Sequence, residues 1–355
     1  MTRTPPSPIL QVLVGDEEVG AFFSDEAELS AMLRVEAALA QAEAKVGLIS
    51  EDAARRIAEI CHTFRADWSK LAEGLARDGV IVPEFVKQLR AAVGAPHSRS
   101  VHLGATSQDV IDTALILRLK PIIETLGQRL DTLIHALDGL KRRDGAIRLM
   151  AHTRMQQALP FTAAEKIDTW FQPLERHREK LQDLAPRLLV VQLGGPIGTR
   201  GELMGQGDAV ADGMADILQL GLAPSWHSQR DRIGEFGAFL SLLTGTLGKI
   251  GQDIALMAQN EVGEVRLATG GGSSAMPHKS NPVSAEVLVT LARFNAGMLG
   301  TLHQALVHEG ERSGAAWTLE WMVLPQMVVS AAAALSKAQA LFASMSFVPS
   351  SAPEA

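Results

Sequence analysis

The spacing of apolar residues between positions 230 and 258 is the feature that most restricts the fold. Ile233, Leu240, Leu247 and Ile254 follow one another at helical spacing, and further apolar residues lie three or four positions from each of them. This pattern is typical of one long amphipathic helix. Similar periodicity is found at residues 109–140 and 283–305, and a further long helix is expected at residues 318–345.

Long helices of this kind need partners, because each must bury its apolar face. Thr162 and Glu165 predict a capping box that begins another helix, which extends toward Leu184. The segments between the helices contain glycine and proline, and no alternating strand pattern competes with the helical one. We therefore predict an all-α protein built around an elongated central helical bundle.

Shorter helices are predicted near the N-terminus. Ser24 and Ser50 are suitable N-caps for helices over residues 25–46 and 51–60. A chain of 355 residues is long enough for two or three domains. We expect a small N-terminal helical domain at residues 1–100, a central long-helix bundle that carries oligomerisation and the active site at residues 101–345, and a frayed tail at residues 346–355.

The composition argues against several classes of function. A net charge of −7 without a dense block of lysine and arginine gives little support for nucleic-acid binding. The apolar stretch at residues 9–14 is too short, and too closely followed by acidic residues, for a signal peptide or a membrane span. Cys61 is the single cysteine, so no intrachain disulfide is possible and the cytoplasm is the expected compartment. Tyrosine is absent, so a catalytic hydroxyl must belong to serine or threonine.

Residues 101–109, the first motif, place small hydroxyl side chains at the start of a predicted long helix. Thr106 and Ser107 occupy that start, and His102 lies four residues before Thr106. The first turn of a helix offers free backbone donors and the positive end of the helix dipole, which together favour a bound carboxylate. An ordinary N-cap is the alternative interpretation.

Residues 151–160, the second motif, form a polar stretch between two predicted helices. Arg154 in this stretch is able to hold a carboxylate through two parallel hydrogen bonds. A solvated loop with one structural arginine explains the same residues.

Residues 270–282, the third motif, begin with three consecutive glycines. Serine, histidine, lysine and asparagine follow within the same stretch. A flexible linker explains the glycines but not the polar and charged run after them. We expect a lid that closes over substrate and brings a side chain to the reacting carbon.

The three motifs together resemble a known family. Residues 272–282 match the signature loop of the fumarase/aspartase superfamily, G-S-S-x-M-P-x-K-x-N-P, at every fixed position. Residues 104–109 resemble the first conserved block of that superfamily, and residues 152–162 resemble the second, in the expected order. With the helix that follows Phe23, the resemblance covers nearly the whole chain.

The resemblance implies a helical subunit that forms a homotetramer, with active sites shared between subunits and with no cofactor and no metal. It implies that Ser273 and Lys279 are catalytic: Ser273 exchanges a proton with carbon, and Lys279 holds the developing negative charge. The substrate-binding residues that we expect are His102, Thr106, Ser107, Thr153, Arg154, Gln156, Ser274, Met276 and Asn281.

The second motif departs from the family pattern. Most lyases of the superfamily have G-R-T-H there, with a histidine that assists the leaving group, whereas Arg154 stands at that position here. The absence of this histidine is reasonable if the nucleophile or leaving group is a carboxylate. A carboxyl group with a pKa of about 4 is already an anion at neutral pH and needs no proton from a histidine. We therefore expect a cycloisomerase that closes a lactone on a small anionic di- or tricarboxylate.

The small C-terminal helical domain usual in the family is expected to be truncated.

Three alternatives remain open from the sequence. The first is a lyase that acts on a succinyl substrate, as adenylosuccinate lyases do, and the second is a cycloisomerase for a sulfo-substituted substrate. The third is a non-catalytic structural homologue, as in the lens crystallins, although retention of Ser273, Lys279 and Asn281 argues against it. Gln229 and Arg230, at the start of the most regular helix, are interpreted as a solvated helix start rather than as substrate ligands.

Overall fold

The computed structural model describes residues 7–268, 270–272, 276 and 280–350. Helices dominate this part of the chain, and the all-α prediction is confirmed. The α-helices are α1 (Pro8–Val14), α2 (Glu17–Ala21), α3 (Asp25–Lys45), α4 (Glu51–Thr63), α5 (Trp68–Asp78), α6 (Val82–Val93), α7 (Ser107–Asp144), α8 (Ala163–Leu188), α9 (Gly207–Leu218), α10 (Asp231–Met257), α11 (Val283–Gln304) and α12 (Gly314–Ser344).

The predicted helix starts are confirmed where serine or threonine caps them. The hydroxyl of Ser24 accepts the backbone N–H of Ala27, at 3.2 Å, and Ser50 caps α4 in the same way. At the start of α8, Thr162 and Glu165 exchange hydrogen bonds between side chain and backbone. These local hydrogen bonds satisfy the free donors of a helix start, which explains why short-range sequence patterns predict them.

The long helices α7, α8, α10, α11 and α12 enclose one apolar core. Small residues let α10 and α11 approach closely, because a Cβ added at Gly251 would lie 2.5 Å from the backbone oxygen of Ala285. Any larger residue at Gly251 would push the two helices apart. The central bundle therefore depends on glycine in α10 as well as on the apolar helix faces predicted from periodicity.

A second apolar core joins α3, α4 and α6 to α9 and to the first turns of α7. Val210 and Met214 of α9 pack in this core, although they lie far beyond residue 100. The N-terminal core thus includes a later segment of the chain. The first turns of α7 connect this core to the central bundle.

Two small antiparallel sheets accompany the helices. Strands β1 (Arg148–Thr153) and β2 (Gln156–Thr162) form a hairpin, and β3 (Val265–Leu267) pairs with β4 (Met345–Phe347). The prediction of a frayed tail from residue 346 is wrong at its start: Phe347 pairs with Val265 and is 4% exposed. Backbone pairing and burial of Phe347 against Trp170 hold this end of the chain in place.

Helix α12 is long and apolar enough to cross a membrane by length and composition. Its most apolar window has a mean hydropathy of 1.3, and 61% of that window is buried inside the protein. The central core helix of a folded bundle shows the same combination.

Glu43 is a buried carboxyl group on α3, and both of its oxygens lack a hydrogen-bond partner among the described residues. Burial chiefly, together with the charge of Glu36, raises the pKa of Glu43 from 4.5 to about 9. Folded protein therefore keeps Glu43 protonated at neutral pH, whereas unfolded protein releases the proton. Since the folded state binds more protons, the stability contributed by this group is present below pH 4.5 and is lost as pH rises toward 9, at about 1.4 kcal/mol per pH unit.

We expect Glu43→Gln to remove the part of the stability loss at rising pH that comes from ionisation of Glu43. The unfolding midpoint of the variant should fall less between pH 5 and pH 8.5 than that of the unmodified protein, because glutamine does not ionise. Thermal unfolding followed by circular dichroism across this range measures the difference. Parallel pH dependences of the two proteins would contradict the assignment of Glu43 as a buried neutral acid.

Candidate active site

The first motif lies at the start of α7, where Thr106 is the N-cap residue. Asp109, in the first turn, accepts the backbone N–H of Thr106 at 3.0 Å. The hydroxyl residues Thr106 and Ser107 are half-buried at the helix start. The positive end of a long helix dipole is therefore available beside two small hydroxyl groups, as an anion site requires.

Asp109 organises the surroundings of the first motif. Its buried carboxylate accepts the backbone N–H groups of Gly194, at 2.7 Å, and of Gly195, at 2.9 Å. It also contacts His227 Nε2 at 2.8 Å and Gln192 Nε2 at 3.2 Å. These contacts fasten the loop after α8 and the segment before α10 to the start of α7, which fixes the backbone around the candidate anion site.

His102 lies beside this site in a left-handed backbone conformation, with φ of 61°. Its Nδ1 atom lies 2.6 Å from Oε1 of Glu36 on α3. Burial acts to lower the pKa of His102, but the charge and hydrogen bond of Glu36 and the charge of Asp109 outweigh it and raise the pKa. The predicted substrate-binding histidine is thus anchored to the N-terminal core through its side chain.

The second motif forms the β1–β2 hairpin between α7 and α8, whereas the sequence predicted only a polar stretch between two helices. Arg154 and Met155 form the turn, with φ of 49° and 67°. The side chains of Thr153, Arg154 and Gln156 are exposed at this tip. A hairpin was not predicted because its exposed residues show no apolar alternation, which is the usual signal of a strand.

The third motif begins and ends on paired backbone. Gly271 and Asn281 exchange two backbone hydrogen bonds of 2.8 Å each, which closes the base of the loop immediately before α11. A Cβ added at Gly271 would lie 2.5 Å from Cγ2 of Val283, so glycine is required at this base. Asn281 is half-buried and Met276 is 43% exposed. Ser273, Ser274 and Lys279 lie outside the described residues.

The first and second motifs lie at opposite ends of α7. This helix has 38 residues, which corresponds to about 57 Å at 1.5 Å per residue. The third motif belongs to the same end as the second, because Glu264, just before β3, accepts the backbone N–H of Met150 in β1 at 2.7 Å. A single chain therefore does not bring all three motifs into one site.

Arg230 is not at a solvated helix start, as the sequence suggested, but in a buried ion-pair network. Its guanidinium donates hydrogen bonds of 2.6–3.1 Å to Asp112 of α7 and to Glu320 of α12. Burial opposes the charged form, but the two carboxylates outweigh it and raise the pKa of Arg230. Arg230 also lies over the ring of Trp226, 4.8 Å from its centroid. This residue joins three helices near the first motif, and its side chain is inaccessible to solvent.

No other concave or polar region among the described residues is a better candidate for the active site than the three motifs. A groove of about 610 Å³, lined mainly by α3 and α4, contains none of the predicted site residues. Within the described part of the chain, no group of three or more histidine, cysteine, aspartate and glutamate side chains is placed to hold a metal ion. The candidate site remains the set of motif residues at the two ends of the bundle.

Comparison with known proteins identifies the family of the chain. A family model described as Lyase matches residues 16–295. The 3-carboxy-cis,cis-muconate cycloisomerase of Pseudomonas aeruginosa is 40% identical over 345 residues, which cover 95% of this chain and 75% of that protein. Trans-aconitate decarboxylase 1 of Mycosarcoma maydis is 33% identical over 344 residues, which cover 96% and 70% of the two chains.

Solved structures of similar proteins include the same kind of enzyme. The crystal structure of the 3-carboxy-cis,cis-muconate lactonizing enzyme from Pseudomonas putida matches with a TM-score of 0.90 and 38% identity. The match covers 96% of this chain and 78% of that one. A family model that covers most of the chain, the signature motifs and the shared architecture lead to one conclusion: the chain belongs to the lyase family of the fumarase/aspartase superfamily.

Proposed function

We propose that the chain is a cycloisomerase that converts 3-carboxy-cis,cis-muconate to a carboxymuconolactone. The observation that carries the proposal is Arg154, which stands at the tip of the β1–β2 hairpin in place of the usual leaving-group histidine. An exposed guanidinium suits a substrate with an additional carboxylate. Four relatives that are 37–40% identical carry this enzyme's name.

The proposed reaction needs proton transfer and charge stabilisation but no leaving-group acid. A carboxylate oxygen of the substrate bonds to a carbon of the conjugated diene, and the electron pair of the double bond moves toward a neighbouring carboxylate as an enediolate. Protonation at carbon then completes the lactone. One proton is taken up in each turnover, and the carboxylate that enters the ring loses its charge.

Each motif has a role in this proposal. Ser273 gives the proton to carbon and is reprotonated from solvent, while Lys279 and Asn281 hold the enediolate. The start of α7 binds a substrate carboxylate through Thr106 and Ser107, and the hairpin binds another through Thr153 and Arg154. Such fixed donors stabilise charge that develops in the transition state.

We further propose a cofactor-free homotetramer in the cytoplasm, with each active site assembled from several subunits. The separation of the motifs along α7 supports this assembly, since one chain holds its first motif far from the second and third. Opposed packing of bundles would place the start of α7 in one subunit beside the hairpin and the third motif of its neighbours.

Turnover of a panel of anions tests the proposed function. We expect 3-carboxymuconate to lose its ultraviolet absorbance with uptake of one proton per turnover, in enzyme treated with a chelator as in untreated enzyme. Adenylosuccinate, fumarate and trans-aconitate should react at least ~10²-fold more slowly, because their reactions leave site groups unpaired. Faster turnover of 4-sulfomuconate would favour the sulfo-substituted alternative, and preference for adenylosuccinate would contradict the proposal.

A further inference from the structure

The pair formed by Glu36 and His102 connects the N-terminal core to the first motif. Glu36 lies in the middle of α3 and is 1% exposed, whereas His102 lies in the loop before α7. The 2.6 Å contact between Oε1 and Nδ1 spans 66 positions in sequence. A buried carboxylate therefore reaches one edge of the His102 ring.

The backbone on either side of His102 is held independently. Arg90 of α6 donates two hydrogen bonds, of 3.3 and 3.0 Å, to the carbonyl of Val101. Gly104 has φ of 64°, and a Cβ added there would lie 2.5 Å from Cδ2 of Leu203. With His102 itself in the left-handed region, the loop is kept in a conformation that few sequences adopt. Such fixed backbone is typical of segments that position a functional side chain.

The titratable and charged groups that face this pair come from four helices. Glu36 and Glu43 lie on α3, Cys61 on α4, Arg90 on α6 and Asp109 on α7. Glu43 is protonated at neutral pH, since its pKa is raised to about 9, and burial chiefly raises the pKa of Cys61 to about 12. The charge of Arg90 opposes protonation of His102, whereas the charges of Glu36 and Asp109 favour it. The net effect raises the pKa of His102.

The far edge of the His102 ring is available to a ligand. Nδ1 is engaged by Glu36, and among the described residues the ring makes no other hydrogen bond, while 14% of the side chain remains exposed. We propose that Glu36 is a positioning residue that holds His102 as a cation, so that Nε2–H donates to the substrate carboxylate bound at the first motif. This role rests on the proposed function, because it assigns a partner to the same anion site.

A purely structural role for the same contact makes a different prediction. If Glu36 only ties the loop to α3, a neutral hydrogen-bonding residue of the same shape serves equally well. If Glu36 sets the charge of His102, removing that charge changes the protonation of His102 without disturbing the fold. Glu36→Gln separates these roles, and Glu43→Gln is the matched control because it neutralises nothing at neutral pH.

Nuclear magnetic resonance of the full-length protein, labelled with ¹³C at histidine Cε1, tests the pair directly. The His102 signal is identified by its loss in His102→Asn. We expect His102 to titrate above its ordinary value of 6.5 in the unmodified protein and in Glu43→Gln, and at lower pH in Glu36→Gln. Titration of His102 at or below 6.5 in the unmodified protein would overturn the proposal even if Glu36→Gln failed to fold.

Kinetics with 3-carboxymuconate test the consequence for substrate. We expect the KM of Glu36→Gln at pH 7.5 to rise about tenfold, the loss of one charge-assisted hydrogen bond, with kcat within about twofold. In the unmodified protein we expect KM to rise with pH as His102 loses its proton. In Glu36→Gln this rise should begin at lower pH. An unchanged KM profile would overturn the substrate contact. If no substrate in the panel reacts, the proposed function fails, and the His102 titration still decides the role of Glu36.

Discussion

Ser273→Ala is expected to slow turnover of 3-carboxymuconate by about 10²–10⁴-fold, the range of a lost general acid or base. The KM should change little, because the carboxylates are held by other residues. The base of the third motif is closed by the backbone pair of Gly271 and Asn281, so the substitution leaves the anchoring of the loop intact. Loss of diene absorbance at saturating substrate measures the effect.

Ser280→Ala is the matched control for this prediction. Ser280 is a hydroxyl residue of the same loop, at a variable position of the signature, and its side chain is exposed. We expect Ser280→Ala to keep near-normal turnover. Equal activity of the two variants would remove Ser273 from the chemistry.

Arg230→Met is expected to destabilise the protein by about 3–5 kcal/mol, because it leaves Asp112 and Glu320 buried without their shared cation. All three side chains are essentially inaccessible to solvent. Trp317 donates to Asp112 at 3.2 Å but brings no charge to balance it. Chemical denaturation followed by tryptophan fluorescence should show the loss as a lower midpoint.

Arg232→Met provides the control on the same helix. Arg232 also lies over Trp226, 5.1 Å from the ring centroid, but it has no carboxylate partner among the described residues. We expect this variant to lose less than about 1 kcal/mol. Replacing Arg230, Asp112 and Glu320 together by apolar residues should recover most of the stability. A midpoint for Arg230→Met equal to that of Arg232→Met would show that the network contributes nothing.

The long helices were predictable because their apolar residues repeat within each helix. Ile233 and Leu247 identify α10 without knowledge of its neighbours, and Ser24 and Thr162 cap helices through contacts only three residues away. The signature residues of the third motif were recognised for the same reason, since they are contiguous in sequence. Local information was sufficient for these features.

The polar contacts that shape the site were not predictable in this way. Glu36 meets His102, and Arg230 meets Asp112, across 66 and 118 positions of the chain. The sequence around Glu36 does not show which residue its side chain contacts. Its role follows from tertiary packing, which places α3 against the loop before α7. An inward-facing charge at a helical core position was the available signal, because such a residue needs a partner.

The length of α7 has a consequence for how this protein can change over time. If neighbouring subunits complete each site, the distance from Thr106 to the β1–β2 hairpin must match the distance between neighbouring active sites in the assembly. Removing one helical turn would shorten it by about 5.4 Å, and removing a single residue would also rotate one end by about 100°. In such an assembly, an insertion in α7 would shift the first motif relative to the second in every site, whereas an insertion in a surface loop would not.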